Sequence, residues 1–233
     1  MLLSLETATS VCSVALLSSE GQLLAAHHLY TDRPHADRLS VLVTQLLENT
    51  SAKPTRLQGI VISEGPGSYT GLRIGTSLAK GMCYALGVPL ITVGTLAGLA
   101  KAAADSLAEG TADAYFVPLL DARRMEVYTA VFDQEGQEQR EVAAEVLEKA
   151  DFQTWLTARP TYFFGDGLAK SRPFLAHPNA RLLPAIRPTA AAVGVLGYKK
   201  YLARTFADLA YFEPFYLKDF QAIKPRKDKL LGN

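Results

Sequence analysis

The sequence predicts an α/β protein made of two tandem βββαβαβα units, and three observations carry that prediction. Short apolar runs rich in β-formers, separated by turn residues, open each half of the chain. Amphipathic helical patterns then alternate with buried strands. The length of 233 residues, 48% of them hydrophobic, suits one large domain or two small fused ones and supplies a core for either.

Residues 2–6 and 11–17 are β-rich apolar runs, SSEG at 18–21 is a turn, and Gln22 to Tyr30 is a third run, so the chain starts as three antiparallel strands. Thr31-Asp32-Arg33-Pro34 offers an N-cap followed by an early proline, and Leu39, Leu42, Val43, Leu46 and Leu47 recur after it at helical spacing. That helix ends within Asn49 to Pro54. Gly59 to Ser63 reads as a buried strand, the glycine-rich EGPGSYTG follows, and Thr70 to Leu86 reads as a second helix. A strand at 89–93 and a helix from about 95 to 108 complete the half. In the second half AYFVPLLD and MEVYTAVFD are strands around a turn at Ala122 to Arg124. Residues 144–157 read as helix, TYFFGDG as a strand ending in a glycine turn, and Pro188 to Phe206 as a further helix.

Two such units suggest the duplicated RNase H-like core of the actin, sugar-kinase and Hsp70 class, the ASKHA or actin-like ATPase fold. The expected organisation is one subdomain over 1–108, a second over 109–217 and a basic tail over 218–233. Charge supports the last division. Asp plus Glu against Lys plus Arg is six to six over 1–100, fifteen to thirteen over 101–217 and two to five over 218–233, summing to 23 and 24. Only the tail is biased, which argues against a basic nucleic-acid-binding domain. Cys12 and Cys83 are far apart and form no CxxC, so neither a disulfide framework nor a cysteine zinc site is indicated, as suits a reducing cytosol. MLLSLETATS lacks a basic start and carries Glu6 where a signal peptide needs an unbroken apolar core, so a cytoplasmic protein is expected. Residues 81–100 carry no charge and have the length of a membrane span. Gly87, Pro89, Gly94 and Gly98, with β-branched residues between them, instead predict a helix end, a turn, a buried strand and a new helix near Thr95.

The most specific feature is EGPGSYTGLRIG, residues 64–75. A P-loop would need GxxxxGK[ST], and here Leu72 and Arg73 follow Gly71. One edge of the helix that follows reads Gly71, Gly75, Ala79, Cys83, all small and at i, i+4 spacing, with Leu72, Ile74, Leu78 and Met82 beside it. Such an edge admits a close neighbour, either a strand of the chain's own sheet or a helix of a partner.

GPGSYTGLRIG, with LETATSVCSVAL before it and DARRMEVY, GDGLAK (165–170) and EPFYLKDF (213–220) after it, resembles the TsaB family, also called YeaZ. The likeness covers nearly the whole chain, and its specificity lies in the eleven-residue motif. It implies an actin-like fold and a role in making threonylcarbamoyladenosine beside the anticodon of tRNA. It also implies a heterodimer with the catalytic paralogue TsaD, assisted by the ATPase TsaE.

In the wider family the catalytic member binds its metal through HxxxH, two histidines on one helical face. The corresponding segment here is His35-Ala36-Asp37-Arg38-Leu39, so Leu39 takes the second ligand position, the metal site is broken and His35 reads as a helix-surface residue. His27, His28 and His177 show no metal spacing either. Kinases of this fold use an Asp-x-Gly-Thr/Ser turn in each half so that backbone N–H groups meet phosphate. The turns here, Glu6-Thr7-Ala8-Thr9 and Asp121-Ala122-Arg123-Arg124, both lack the glycine, and Glu6 stands where many relatives have Asp. Thr7 and Gly165-Asp166-Gly167 are the residual nucleotide candidates, with Asp166 equally readable as a helix cap. Ser68 is not in GxSxG, so an older protease label for the wider family finds no support. Asp121 and Glu126 flank the hairpin turn and read as solvated or paired with Arg123 and Arg124.

The expectation is therefore a non-catalytic subunit with no cofactor or metal of its own, ATP or ADP being a candidate only at the partner interface. His35, Leu39, Leu42 and Leu46 of the first helix, with Gly71, Leu72, Ile74, Gly75, Leu78 and Met82 of the second, are expected to bundle with the same helices of TsaD. Alone, the same face closes a homodimer, and Gly75→Arg is expected to abolish both assemblies without unfolding the monomer. Lys224, Arg226, Lys227 and Lys229 in the tail are candidate tRNA contacts, against a merely solvated terminus. The alternative is an autonomous actin-fold ATPase or phosphotransferase, against which the missing glycines argue.

Overall fold

The computed structural model describes residues 1–30, 35–107 and 113–218. Strands β1 (Leu2–Glu6), β2 (Val11–Leu17), β3 (Leu23–Tyr30), β4 (Gly59–Gly65) and β5 (Leu90–Gly94) form one sheet in the order β3-β2-β1-β4-β5. Strands β6 (Tyr115–Asp121), β7 (Glu126–Phe132), β8 (Glu138–Val146), β9 (Thr161–Phe164) and β10 (Ala180–Leu183) form the other, ordered β10-β9-β6-β7-β8. Each sheet is an antiparallel meander of three strands followed by two parallel ones, the same topology twice. The helices are α1 (Leu39–Asn49), α2 (Tyr69–Leu86), α3 (Thr95–Ser106), α4 (Gln153–Ala158), α5 (Leu168–Ser171) and α6 (Ala190–Leu202).

Central strands buried on both faces need apolar side chains of both parities, and β1 and β2 are buried throughout. Leu3, Leu5, Cys12, Val14, Leu16, Ile60 and Ile62 pack under α1 and α2. On the opposite face Leu2, Leu17, Val61, Ile91 and Val93 meet Val193 of α6. In the second sheet Phe116, Leu120, Ala130, Phe132 and Phe164 pack against Leu96, Leu99, Ala100 and Ala103 of α3. The sheets thus exchange helices: α3 precedes the second sheet in the chain yet covers it, and α6 follows the second sheet yet covers the first. The two helices cross at Gly98, where a Cβ would lie 2.8 Å from Val193 Cγ2.

Residues 81–100 run as the end of α2, a left-handed Gly87 (φ +66°), β5 and the start of α3. Among the described residues no helix is long and apolar enough to cross a membrane. Two expectations need correction. The helix expected over 144–157 is strand as far as Val146, then a 3-10 turn, with only Gln153–Ala158 helical. The short strand β10 was not anticipated. The N-cap expected in residues 31–34 lies outside the described residues, and α1 is preceded by a 3-10 turn at His35–Asp37.

After α6 the chain runs back across both halves. Ala207 bridges to Leu90, and Lys80 Nζ donates to the carbonyls of Ala210 and Phe212 at 3.1 Å each. Phe215 N–H donates to the Glu64 carbonyl at 2.7 Å, the Tyr216 ring lies 4.8 Å from that of Tyr69, and Lys218 pairs with Glu126 of β7.

Candidate functional site

The glycine-rich segment presses the loop after β4 and the first turns of α2 onto the β1–β2 turn. Ser68 N–H donates to the Ala8 carbonyl at 2.6 Å, and Ser68 Oγ caps α2 by accepting from Gly71 N–H at 3.2 Å. A Cβ on Gly71 would sit 2.1 Å from the Thr7 carbonyl oxygen, and one on Gly75 would sit 2.3 Å from Thr7 Oγ1. The small edge of α2 therefore faces the chain's own sheet, and the alternative of a partner helix against that edge is set aside. Ser68 is a helix cap.

Six of the ten residues expected in the partner seam are turned inward: His35, Leu39, Leu46, Gly71, Leu72 and Gly75 are all buried. His35 is also no surface residue; its Nε2 donates to the Thr9 carbonyl at 2.6 Å, pinning the start of the helical segment to the β1–β2 turn. The remaining four, Leu42, Ile74, Leu78 and Met82, lie half-buried on the outer side of the same core. Ile74, Leu78 and Met82 fall at i, i+4, i+8 on one stripe of α2, and Val41 on α1 is 44% exposed.

The β1–β2 turn does not fit a phosphate. It has no glycine, and the Ala8 N–H is taken by Glu6 Oε1 at 2.6 Å. Thr9 Oγ1 takes the Val11 N–H. Glu6 is completely buried and its Oε2 makes no hydrogen bond among the described residues, so burial pushes its pKa up to about 7 despite the Ala8 amide and the Ser63 hydroxyl. Thr7 Oγ1 is buried against Gly75 and likewise makes no hydrogen bond among the described residues.

The β6–β7 turn is occupied too. Lys170 Nζ reaches it from α5, pairing with Asp121 and donating to the carbonyls of Arg124 at 2.9 Å and Glu126 at 2.5 Å. Asp121 Oδ1 also accepts the Arg123 N–H at 2.8 Å, while Glu126 pairs with Lys218, so the acids beside the turn engage two lysines and a backbone amide of the turn. Gly165 (φ +108°) and Gly167 clamp the end of β6, where Cβ atoms would lie 2.3 Å and 3.0 Å from the Leu119 carbonyl oxygen. Asp166 caps no helix. Its Oδ1 accepts the Asp121 N–H at 2.8 Å, while Gly167 takes the N-cap position of α5 and no side chain caps that helix. Sequence reasoning missed Lys170 and Lys218, although GDGLAK places a lysine four residues after Asp166 on the same turn of chain.

Among the described residues no three His, Cys, Asp or Glu side chains gather as metal ligands. His27 and His28 meet Asn49 and Ser13, and both cysteines are buried thiols. Lys224, Arg226, Lys227 and Lys229 lie outside the described residues.

A family model described as TsaD, tRNA N6-adenosine threonylcarbamoyltransferase, matches residues 29–211. The chain is 33% identical over 168 residues to the tRNA threonylcarbamoyladenosine biosynthesis protein TsaB of Bacillus subtilis, across 70% of each chain. It superposes on a crystal structure from Pseudomonas aeruginosa of a protein with similarity to the peptidase YeaZ, with a TM-score of 0.82 and 29% identity, covering 93% of this chain and 99% of that one. An activator of 2-hydroxyisocaproyl-CoA dehydratase from Clostridium difficile, solved with ADPNP, shares the fold alone, with a TM-score of 0.51 and 10% identity over 89% of this chain and 98% of that one. The fold is the duplicated actin-like one.

Proposed function

The chain belongs to the TsaB family of tRNA threonylcarbamoyladenosine biosynthesis proteins, and from that membership we propose that it serves as the non-catalytic partner of TsaD. The observation that carries this reading is the row of half-buried apolar side chains, Leu42, Ile74, Leu78 and Met82, on the outer α1–α2 face. Apolar stripes of this kind are stabilised by a second surface, and a matching pair of helices supplies one with the ridges-into-grooves geometry of a helical bundle. Without TsaD the same face closes on a second copy.

The turns favour a scaffold over an enzyme. In a phosphate-binding turn the backbone amides are free and a glycine lets the ligand approach. Here Glu6 and Lys170 fill the corresponding places with the chain's own groups. In this reading the chain brings no cofactor of its own, any ATP or ADP sits where the partner completes a site, TsaE joins through TsaD, and tRNA is met by the complex.

Light scattering after size exclusion, on the chain alone and mixed with the HxxxH-bearing paralogue, tests the reading. The expected result is a homodimer that converts to a one-to-one heterodimer. Two species that elute independently, with nucleotide and TsaE present, would remove the scaffold role.

A further inference from the structure

Arg123 and Arg124 form the tip of the β6–β7 hairpin with φ of +66° and +52°. Glycine and asparagine enter that left-handed region readily, and two successive arginines rarely do. Both are exposed. The neighbouring acids are already engaged, Asp121 by Lys170, Glu126 by Lys218, and Asp166 by the Asp121 amide. Lys170 holds the turn from inside through its carbonyls. The hairpin is therefore fixed by a lysine of its own subdomain, leaving two guanidiniums directed at solvent.

A third cation stands beside them. Lys218 Nζ lies 5.9 Å from the centroid of the Tyr128 ring, and partial burial together with the Arg124 charge holds its pKa below the ordinary value. Lys218 is also the last described residue, and Lys224, Arg226, Lys227 and Lys229 follow it in the sequence.

We propose that the Arg123–Arg124 tip is a contact for the phosphate backbone of tRNA. The proposal rests on the reading of this chain as a subunit of a tRNA-modifying complex. The planar fork of a guanidinium matches phosphate oxygens in pairs, which is the contact that positions an RNA without reading its sequence. Two such forks on a rigid turn can meet successive phosphates. The chain's own groups satisfy the backbone of the tip, and neither arginine side chain makes a hydrogen bond or ion pair among the described residues, so both guanidiniums are open to a ligand.

The test uses the full chain together with TsaD and an unmodified tRNA transcript, with binding followed by filter retention between 50 and 200 mM salt. The double variant Arg123→Gly/Arg124→Gly suits the left-handed turn and is expected to melt at or above the parent temperature and to pair with TsaD normally. It should bind tRNA about tenfold or more weakly at the low end of salt. The slope of log affinity against log salt should become shallower by about one per arginine. Arg123→Lys/Arg124→Lys should keep most of the slope. Unchanged affinity and slope in the glycine variant overturn the proposal. Loss of TsaD pairing in that variant also overturns it, by assigning the tip to a protein interface. If the parent chain fails to pair with TsaD, the scaffold reading falls, and the same comparison of slopes on the chain alone still decides the RNA contact.

Discussion

Gly75 lies so close to Thr7 that a Cβ would come within 2.3 Å of the threonine Oγ1 and 2.9 Å of Ile62 Cδ1. Helix α2 thus rests on the end of β1 with no room for a side chain. Gly75→Ala is expected to destabilise the chain by about 1–3 kcal/mol, the usual cost of overpacking, lowering the melting temperature by several degrees. Gly75→Arg is expected to prevent folding, contrary to the expectation that it would only separate subunits. Circular dichroism melts of both variants check this, and a folded, monomeric Gly75→Arg would show that α2 can lift off the sheet.

Pairing should depend instead on the outer stripe. Leu78→Lys keeps its methylenes against the core while placing a charge in solvent, so the monomer stays folded. Both the homodimer and the complex with TsaD are expected to weaken by at least tenfold, read by light scattering over a dilution series. Undiminished association would move the interface away from α2.

Glu6 makes stability depend on pH. Its folded pKa of about 7 exceeds the ordinary 4.5, so the folded protein keeps a proton that the unfolded chain has released between those values. Stability therefore falls as pH rises through that window, and the loss levels off above pH 7 at roughly 3 kcal/mol. Glu6→Gln retains an acceptor for the Ala8 amide and removes the ionisation. In urea unfolding it should gain up to ~3 kcal/mol over the parent at pH 8 and little near pH 4.5. A gain of equal size at both pH values would mean that ionisation of Glu6 is not the cause.

Lys170→Met should loosen the β6–β7 turn. The substitution removes three donor contacts from a mostly buried ammonium, leaving the Arg124 and Glu126 carbonyls and the Asp121 carboxylate without it. A loss of about 1–3 kcal/mol is expected. Hydrogen exchange at the hairpin amides should rise with it, and unchanged protection would show that the turn holds itself.

Much of the first half was legible because its strands are largely apolar runs and glycines mark several of its turns, at Gly21, Gly65, Gly67 and Gly87. Strand β8 was not: EQREVAAEV is rich in Glu and Ala, which favour helix locally, and only pairing with β7 along an exposed edge makes it extended. Four-residue β10 is too short to show a period. The small edge of α2 announced a close approach, yet a helix pattern cannot say which neighbour approaches, and the neighbour is Thr7 of the same chain. His35 misled for a related reason, because its partner is a backbone carbonyl 26 residues earlier, which no local pattern encodes. Lys170 and Lys218 escaped notice because lysines meeting turns from distant segments look like ordinary surface charge.

The crossing of α3 and α6 has a consequence for synthesis on the ribosome. The first five strands can pair as soon as they emerge, but the face formed by Leu2, Leu17, Val61, Ile91 and Val93 stays wet until Val193 and its helix arrive about a hundred residues later. A nascent sheet with one uncovered apolar face is a natural client for chaperones. Closure of the two halves is therefore a single late event, and neither half would be expected to survive as an isolated fragment.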